Sequence, residues 1–215
     1  MSAKKPIIFL GPCLPRAEAR ALLEADYRPP VRRGDVLAAA REAPPLIGII
    51  DGVFMHTLAP SPREVLQAIE TGVPILGSSS LGALRAVELE PFGMVGVGRI
   101  FEMFKRRELI ADDEVALVFS SEDLRALSEP LVNIRHALAA AEREGLISGA
   151  ERRRLIRIGQ EIYFPERSYR RLFREAEGRV RPEALAALEG FVRSGDHDLK
   201  ASDARALLVE ARRRL

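Results

Sequence analysis

The 215-residue chain has no tryptophan, one cysteine and three histidines, and only 6% of its residues are aromatic. A single cysteine, Cys13, excludes an intrachain disulfide and gives no reason to expect an oxidising compartment. His56, His136 and His197 do not stand at metal-ligand spacing to Cys13 or to each other, so no metal is expected. Without tryptophan there is no strong stacking platform for bases, and a net charge of +2 is too small to argue for nucleic acid. The apolar run Pro6 to Leu10 stops at Gly11-Pro12, too short for a signal-peptide core or a membrane span. A cytoplasmic protein with no membrane partner is the expectation. No GxxxxGK[ST] string occurs, and Gly93-Met94-Val95-Gly96-Val97-Gly98 has the order GxxGxG rather than GxGxxG, so no nucleotide cofactor is expected.

What is present is the composition of a globular protein, 47% hydrophobic and 30% charged. Ile7 to Leu10, Leu46 to Ile50 and Val73 to Leu76 are short apolar runs, each followed by a turn, and read as strands buried on both faces. Between them lie helical patterns at 17–25, 35–41 and 62–70, the last opened by Ser61-Pro62-Arg63-Glu64, a capping box with proline in its first turn. This alternation predicts an α/β fold with a small parallel sheet of about four strands and flanking helices. Val115 to Phe119 is the fourth strand candidate. The acids before it, Asp112-Asp113-Glu114, read as solvated loop residues in preference to a cation site. After Pro130 the pattern turns helical, with a second capping box at Ser148 to Glu151, so the predicted division is an α/β core over 1–130 and an all-helical part over 131–215 packed on it. Charge divides similarly, −3 over residues 1–149 and +5 over 150–215. The clusters Arg152 to Arg154, Arg170-Arg171 and Arg212 to Arg214 are interleaved with glutamates, which fits a solvated face or an acidic protein partner better than nucleic acid.

Turns at the carboxyl edge of such a sheet are where ligands bind. That edge gathers Gly11-Pro12-Cys13, Asp51-Gly52 and the turn Gly77-Ser78-Ser79-Ser80-Leu81-Gly82, which leads from a strand into a helix. Ser78-x-Ser80-x-Gly82 has the small-x-nucleophile-x-small form of a nucleophile elbow, whose small flanks permit a strained turn, and it makes Ser80 the first candidate nucleophile. A helix N-cap is the competing role for the same hydroxyl. Asp51 reads equally as a ligand-facing carboxylate and as the acid of an Asp-Gly turn. Cys13 reads as a small buried residue.

The ordered strings Gly11-Pro12, Pro30-Val31-Arg32-Arg33-Gly34-Asp35, Asp51-Gly52-Val53-Phe54, Gly77 to Ala86, Gly93 to Gly98, Asp112 to Ala116 and Asp198-Leu199-Lys200-Ala201-Ser202-Asp203-Ala204 resemble the TfuA-like proteins over nearly the whole chain. The resemblance implies a partner of YcaO enzymes in peptide-backbone thioamidation, one that cleaves the C-terminal thiocarboxylate of a ThiS-like sulfur carrier to release sulfide. A precursor peptide is a third candidate partner. It further implies a Ser-Lys pair. Ser80, with Ser79 in reserve, matches the family serine, and Ser78 stands where alanine is usual. Lys200 matches the lysine in the last string, whereas Lys105 falls where arginine is common. Cys13 departs from the family's usual serine or threonine, and residues 61–64 depart from its His-Lys-Glu-like string.

The implied chemistry is acyl transfer from carrier to Ser80 with Lys200 as base, catalytic residues Ser80, Lys200 and Ser79, and substrate contacts from Asp51, Arg85, Gly11 and Gly82. Lysine serves as base near neutral pH only if its pKa falls several units from about 10.4. Arg85 would meet the carrier terminus or else pair with Glu88 one turn on. The alternative from another class is a non-catalytic adaptor that recruits YcaO, its peptide or the carrier, with Ser80 a helix cap.

Overall fold

A computed structural model of the chain describes residues 4–53 and 58–215; Phe54 and His56 of the sequence analysis lie outside the described residues. Two compact units divide the chain. One comprises 1–110 with 200–215 and the other 111–199.

In the first unit the apolar runs become β1 (Ile7–Phe9), β3 (Ile47–Ile49) and β4 (Ile75–Ser78) of a parallel sheet. Its order is β2-β1-β3-β4-β5, with β2 at Asp26–Arg28 and β5 at Val95–Val97. The sheet therefore has one more strand than the expected four. The central strands read as continuous apolar runs because helices cover both their faces. Ile8, Leu10 and Leu76 face α1 (Arg16–Leu22) and α10 (Leu199–Arg214) in one buried cluster with Leu207, Leu208 and Ala211. On the other face α2 (Asp35–Arg41), α3 (Pro62–Ile69), α4 (Leu81–Leu89) and α5 (Arg99–Lys105) lie side by side. This order reverses direction between β1 and β3, and such a switch point opens a crevice at the carboxyl ends of the strands.

The division expected at residue 130 differs from the observed units. The last helix belongs with the sheet, because Ala204, Leu207, Leu208 and Ala211 supply one wall of the sheet's own core. Val115 to Phe119 is not a strand of that sheet. It lies in the second unit, where among the described residues Phe119 makes an isolated antiparallel bridge to Ala126. Ser61 caps α3 as expected, accepting from the Glu64 amide at 3.2 Å, but the Glu64 carboxylate turns away from the box. It accepts instead from the amides of Gly34 and Val36 at the start of α2, another set of helix donors without intrahelical partners.

The second unit holds α6 (Leu131–Arg143), α7 (Gly149–Glu161), α8 (Tyr169–Ala176) and α9 (Pro182–Ser194) around a cluster that includes Leu138, Leu155, Leu172 and Leu188. The Ser148–Glu151 capping box is complete. Two of the loop acids are committed to arginines: Glu114 forks onto Arg135, and Asp113 pairs with the buried Arg167. Among the described residues no helix is long and apolar enough to cross a membrane.

Candidate active site

Ser78 ends β4, Ser79 makes the turn and Ser80 occupies the N-cap position of α4, so three adjacent hydroxyls lie at the carboxyl end of the fourth strand. All three serines are buried. Ser78 Oγ donates to the Asp203 carbonyl at 2.9 Å, and Ser79 Oγ donates to the Lys200 carbonyl at 2.9 Å. Those carbonyls are one turn apart on α10, so two serines seat the first turn of the last helix on the sheet. Ser80 has no capping bond from its side chain; its Oγ lies 3.1 Å from Lys200 Nζ. Ser80 and Lys200 are each only 2% exposed.

The turn is strained, as the elbow form expects, and the left-handed residue is Ser79. Its left-handed φ is 65°, while Ser80 has φ −113° and ψ −122°. A non-glycine residue with φ in that region is uncommon and marks stored backbone strain. Gly82 serves the close approach expected of a small flank: a Cβ there would stand 1.8 Å from the Ile49 carbonyl oxygen, so α4 lies directly on the end of β3. The Gly82 amide is 3.4 Å from the Ile50 carbonyl. Leu81, the first helical residue, has no intrahelical acceptor for its N–H.

Beside the serines, at the β1–β3 switch point, the Asp51 carboxylate organises the loop after β1. Its Oδ2 accepts from the amides of Gly11 and Cys13 at 2.9 and 3.1 Å, and its Oδ1 lies 2.7 Å from Cys13 Sγ. Cys13 Sγ is also 3.2 Å from Ser79 Oγ. Burial, reinforced by the Asp51 carboxylate and opposed by Lys200, pushes the Cys13 thiol well above its ordinary pKa, so it is held as S–H. Asp51 and Gly11 thus act on each other and on Cys13. Their adjacency was readable in principle, since both follow neighbouring strands; Cys13's contact with the serine turn was not.

Asp203 occupies the other flank. Its carboxylate accepts from the Arg99 and Ile100 amides at 2.9 and 2.7 Å, capping α5 with an acid from a distant helix. Burial raises its pKa against those two hydrogen bonds. Arg85 lies off this cluster: its Nε donates to the Pro60 carbonyl and its guanidinium pairs with Glu88 at 2.7 Å, the neighbour predicted one turn on. Lys105 is half exposed and paired with Glu90 at 2.7 Å. The structure therefore brings Ser79, Ser80, Lys200, Asp51, Gly11 and Cys13 into one buried neighbourhood, and leaves Arg85 and Lys105 in ion pairs of their own.

No curated protein matches this sequence. The family model described as TfuA-like protein matches residues 51–168, a span that takes in Asp51 and the serine turn but neither Cys13 nor Lys200. With more than half of its length matched, the chain belongs to the TfuA-like family, whose role is accessory to the YcaO-associated pathway and whose partners are of YcaO type.

Proposed function

We propose that the protein hydrolyses the C-terminal thiocarboxylate of a ThiS-like sulfur carrier in the cytoplasm and so supplies sulfide to its YcaO partner. The observation that carries this reading is the 3.1 Å approach of Lys200 Nζ to Ser80 Oγ, within the reach needed for proton transfer. The mechanism requires the uncharged amine, and in that form Lys200 takes the Ser80 proton as Oγ bonds to the thiocarboxylate carbon. The C–S bond then breaks, sulfide leaves with the proton held by Lys200, and water cleaves the acyl-serine ester to carboxylate and free Ser80. The Leu81 amide at the start of α4 is the donor placed for the developing oxyanion, a contribution of about 3 kcal/mol for one such group. Ser79 and Ser78 hold α10 in place, and a precursor peptide meets the YcaO partner.

Sulfide release from thiocarboxylated carrier tests the reading. Ser80→Ala and Lys200→Met each abolish release while binding to the YcaO partner persists; unchanged release in Ser80→Ala ends the hydrolase assignment. One observation favours the adaptor instead. Each serine hydroxyl of the turn already has a partner and is shut from solvent, as structural hydroxyls are. Under that reading both variants retain full pathway activity.

A further inference from the structure

The two edges of the five-stranded sheet are built differently. β2 carries Asp26 and Arg28; Arg28 pairs with both Asp26 and Glu42, so charge guards that edge against another strand. β5 is Val95-Gly96-Val97 and carries no charge; among the described residues it is hydrogen-bonded on one side only, to β4. All three of its residues are part-exposed. Beside this bare edge runs an open groove of about 530 Å³, walled by β5 and by Ala206, Val209 and Glu210 of α10. Val209 points an apolar side chain into it while 57% exposed. Arg214 stands at one end of the groove and the exposed Arg99 follows β5 at the other.

We propose that the β5 edge and this groove dock the extended C-terminal tail of a partner protein, paired as a sixth parallel strand, and that this is the tail whose terminus reacts at Ser80; the inference rests on the hydrolase reading above. Three features select that occupant. An uncharged edge takes an extended segment through main-chain hydrogen bonds, with one face of small or apolar side chains lying on Val209. Direction follows from register. Val97 pairs with Ser78, two residues before Ser80, so a strand laid parallel to β5 sends its C-terminal end to the sheet edge that holds the serine turn. Such a strand runs two inter-strand spacings, roughly 10 Å, from β4, so its last few residues span the remaining gap. Charge sorts the partner too: Arg99 at the reacting end suits a tail ending in a carboxylate or thiocarboxylate, while Arg214 at the other end is paired with Glu210.

Hydrogen exchange of the full chain, with and without a saturating ThiS-like carrier in its carboxylate form, is the test, together with the Val209→Glu variant. Carrier is expected to slow exchange at 95–98 in the wild type. Val209→Glu, at an exposed position, is expected to remove that slowing and to raise the half-saturating carrier concentration about tenfold or more, while sulfide release from thioacetate stays unchanged. Equal exchange at β5 with and without carrier, or unaltered carrier affinity in Val209→Glu, overturns the proposal. So does a dimer in light scattering that Val209→Glu splits, since a second copy then covers the edge. Failure of the hydrolase reading is separately visible, as protection of β5 by carrier with no sulfide released from its thiocarboxylate.

Discussion

Ser79 and Lys200 are joined at the backbone: the Ser79 hydroxyl donates to the Lys200 carbonyl at 2.9 Å, while the amine of the same lysine reaches the next residue, Ser80, at 3.1 Å. One residue of α10 is thus held at two points by two neighbours of the β4–α4 turn. The first contact fixes where the helix begins, and the second depends on it, because a flexible four-carbon side chain keeps one position only if its root is fixed. Ser78, through the Asp203 carbonyl, adds a third point one turn further on.

Substitution at Ser79 separates strain from hydrogen bonding. Ser79→Ala loses a buried bond, about 1–2 kcal/mol, and keeps the left-handed backbone. Ser79→Gly loses the same bond but relieves a conformation that costs a side chain about 1 kcal/mol. Urea unfolding is expected to rank wild type above Ser79→Gly and Ser79→Gly above Ser79→Ala. Should Ser79→Ala prove the more stable of the two variants, the turn does not hold φ near 65° in solution.

Gly82→Ala is expected to be among the most damaging single-methyl changes in the chain. The added carbon meets the Ile49 carbonyl oxygen at 1.8 Å, with backbone on both sides and no flexible group to yield. Lifting α4 off β3 breaks packing and moves Ser80 together, so a loss of about 3 kcal/mol or more is expected. Thermal unfolding checks this, and a shift within a degree of wild type would show that α4 is not seated on β3 as described.

The parts of the fold that could be read in the sequence are those whose burial is uniform. β1, β3 and β4 are buried throughout because helices cover them on both sides, and only Ser78 at the end of β4 breaks their apolar and glycine run. β2 escaped notice because an edge strand buries one residue in three: only Tyr27 of Asp26-Tyr27-Arg28 is inside. β5 lies inside the glycine-rich string Gly93 to Gly98, where two valines around a glycine make no apolar run. Val115 to Phe119 carries the same apolar signal as a strand and is something else, since a short run records burial and not the partner that causes it. At the site, spacing singled out the serine turn and placed Asp51 on the same edge, but it named no strained residue, and the left-handed φ falls on Ser79. Lys200 came through family resemblance alone, as no local pattern reports contact across 120 residues.

Cys13 offers a probe of that buried neighbourhood. Because burial and the Asp51 carboxylate raise its pKa, the folded protein keeps the thiol protonated where the unfolded chain releases it. The folded state then binds more protons than the unfolded one, so stability falls as pH rises past the ordinary thiol value of about 8.5. Cys13→Ser, whose hydroxyl does not ionise there, should not show this loss. Native protein at pH 8 is expected to resist alkylation by iodoacetamide that proceeds readily in urea. Rapid labelling of the folded chain would mean that the loop after β1 opens on its own.

In the second unit, acid sensitivity should concentrate at Glu151. Its carboxylate takes Arg181 Nε and Nη2 at 2.8 and 3.0 Å and also the Ser148 amide at 2.8 Å, and these bonds, Arg181 first, lower its pKa from 4.5 to about 2. The sign is opposite to that at Cys13: the folded state holds this proton less tightly, so the stabilisation is complete above pH 4.5 and drains away as pH falls toward 2. Glu151→Gln removes the charge at every pH, so its stability should lie below wild type at pH 6 and approach it near pH 2 in urea titrations. The Arg181 side chain is 63% exposed, and salt should therefore shrink its share of the gap. The capping bonds to Ser148, shorter in range and half-buried, should leave a remainder that salt does not touch; a gap that vanishes entirely in high salt would assign the whole effect to the ion pair.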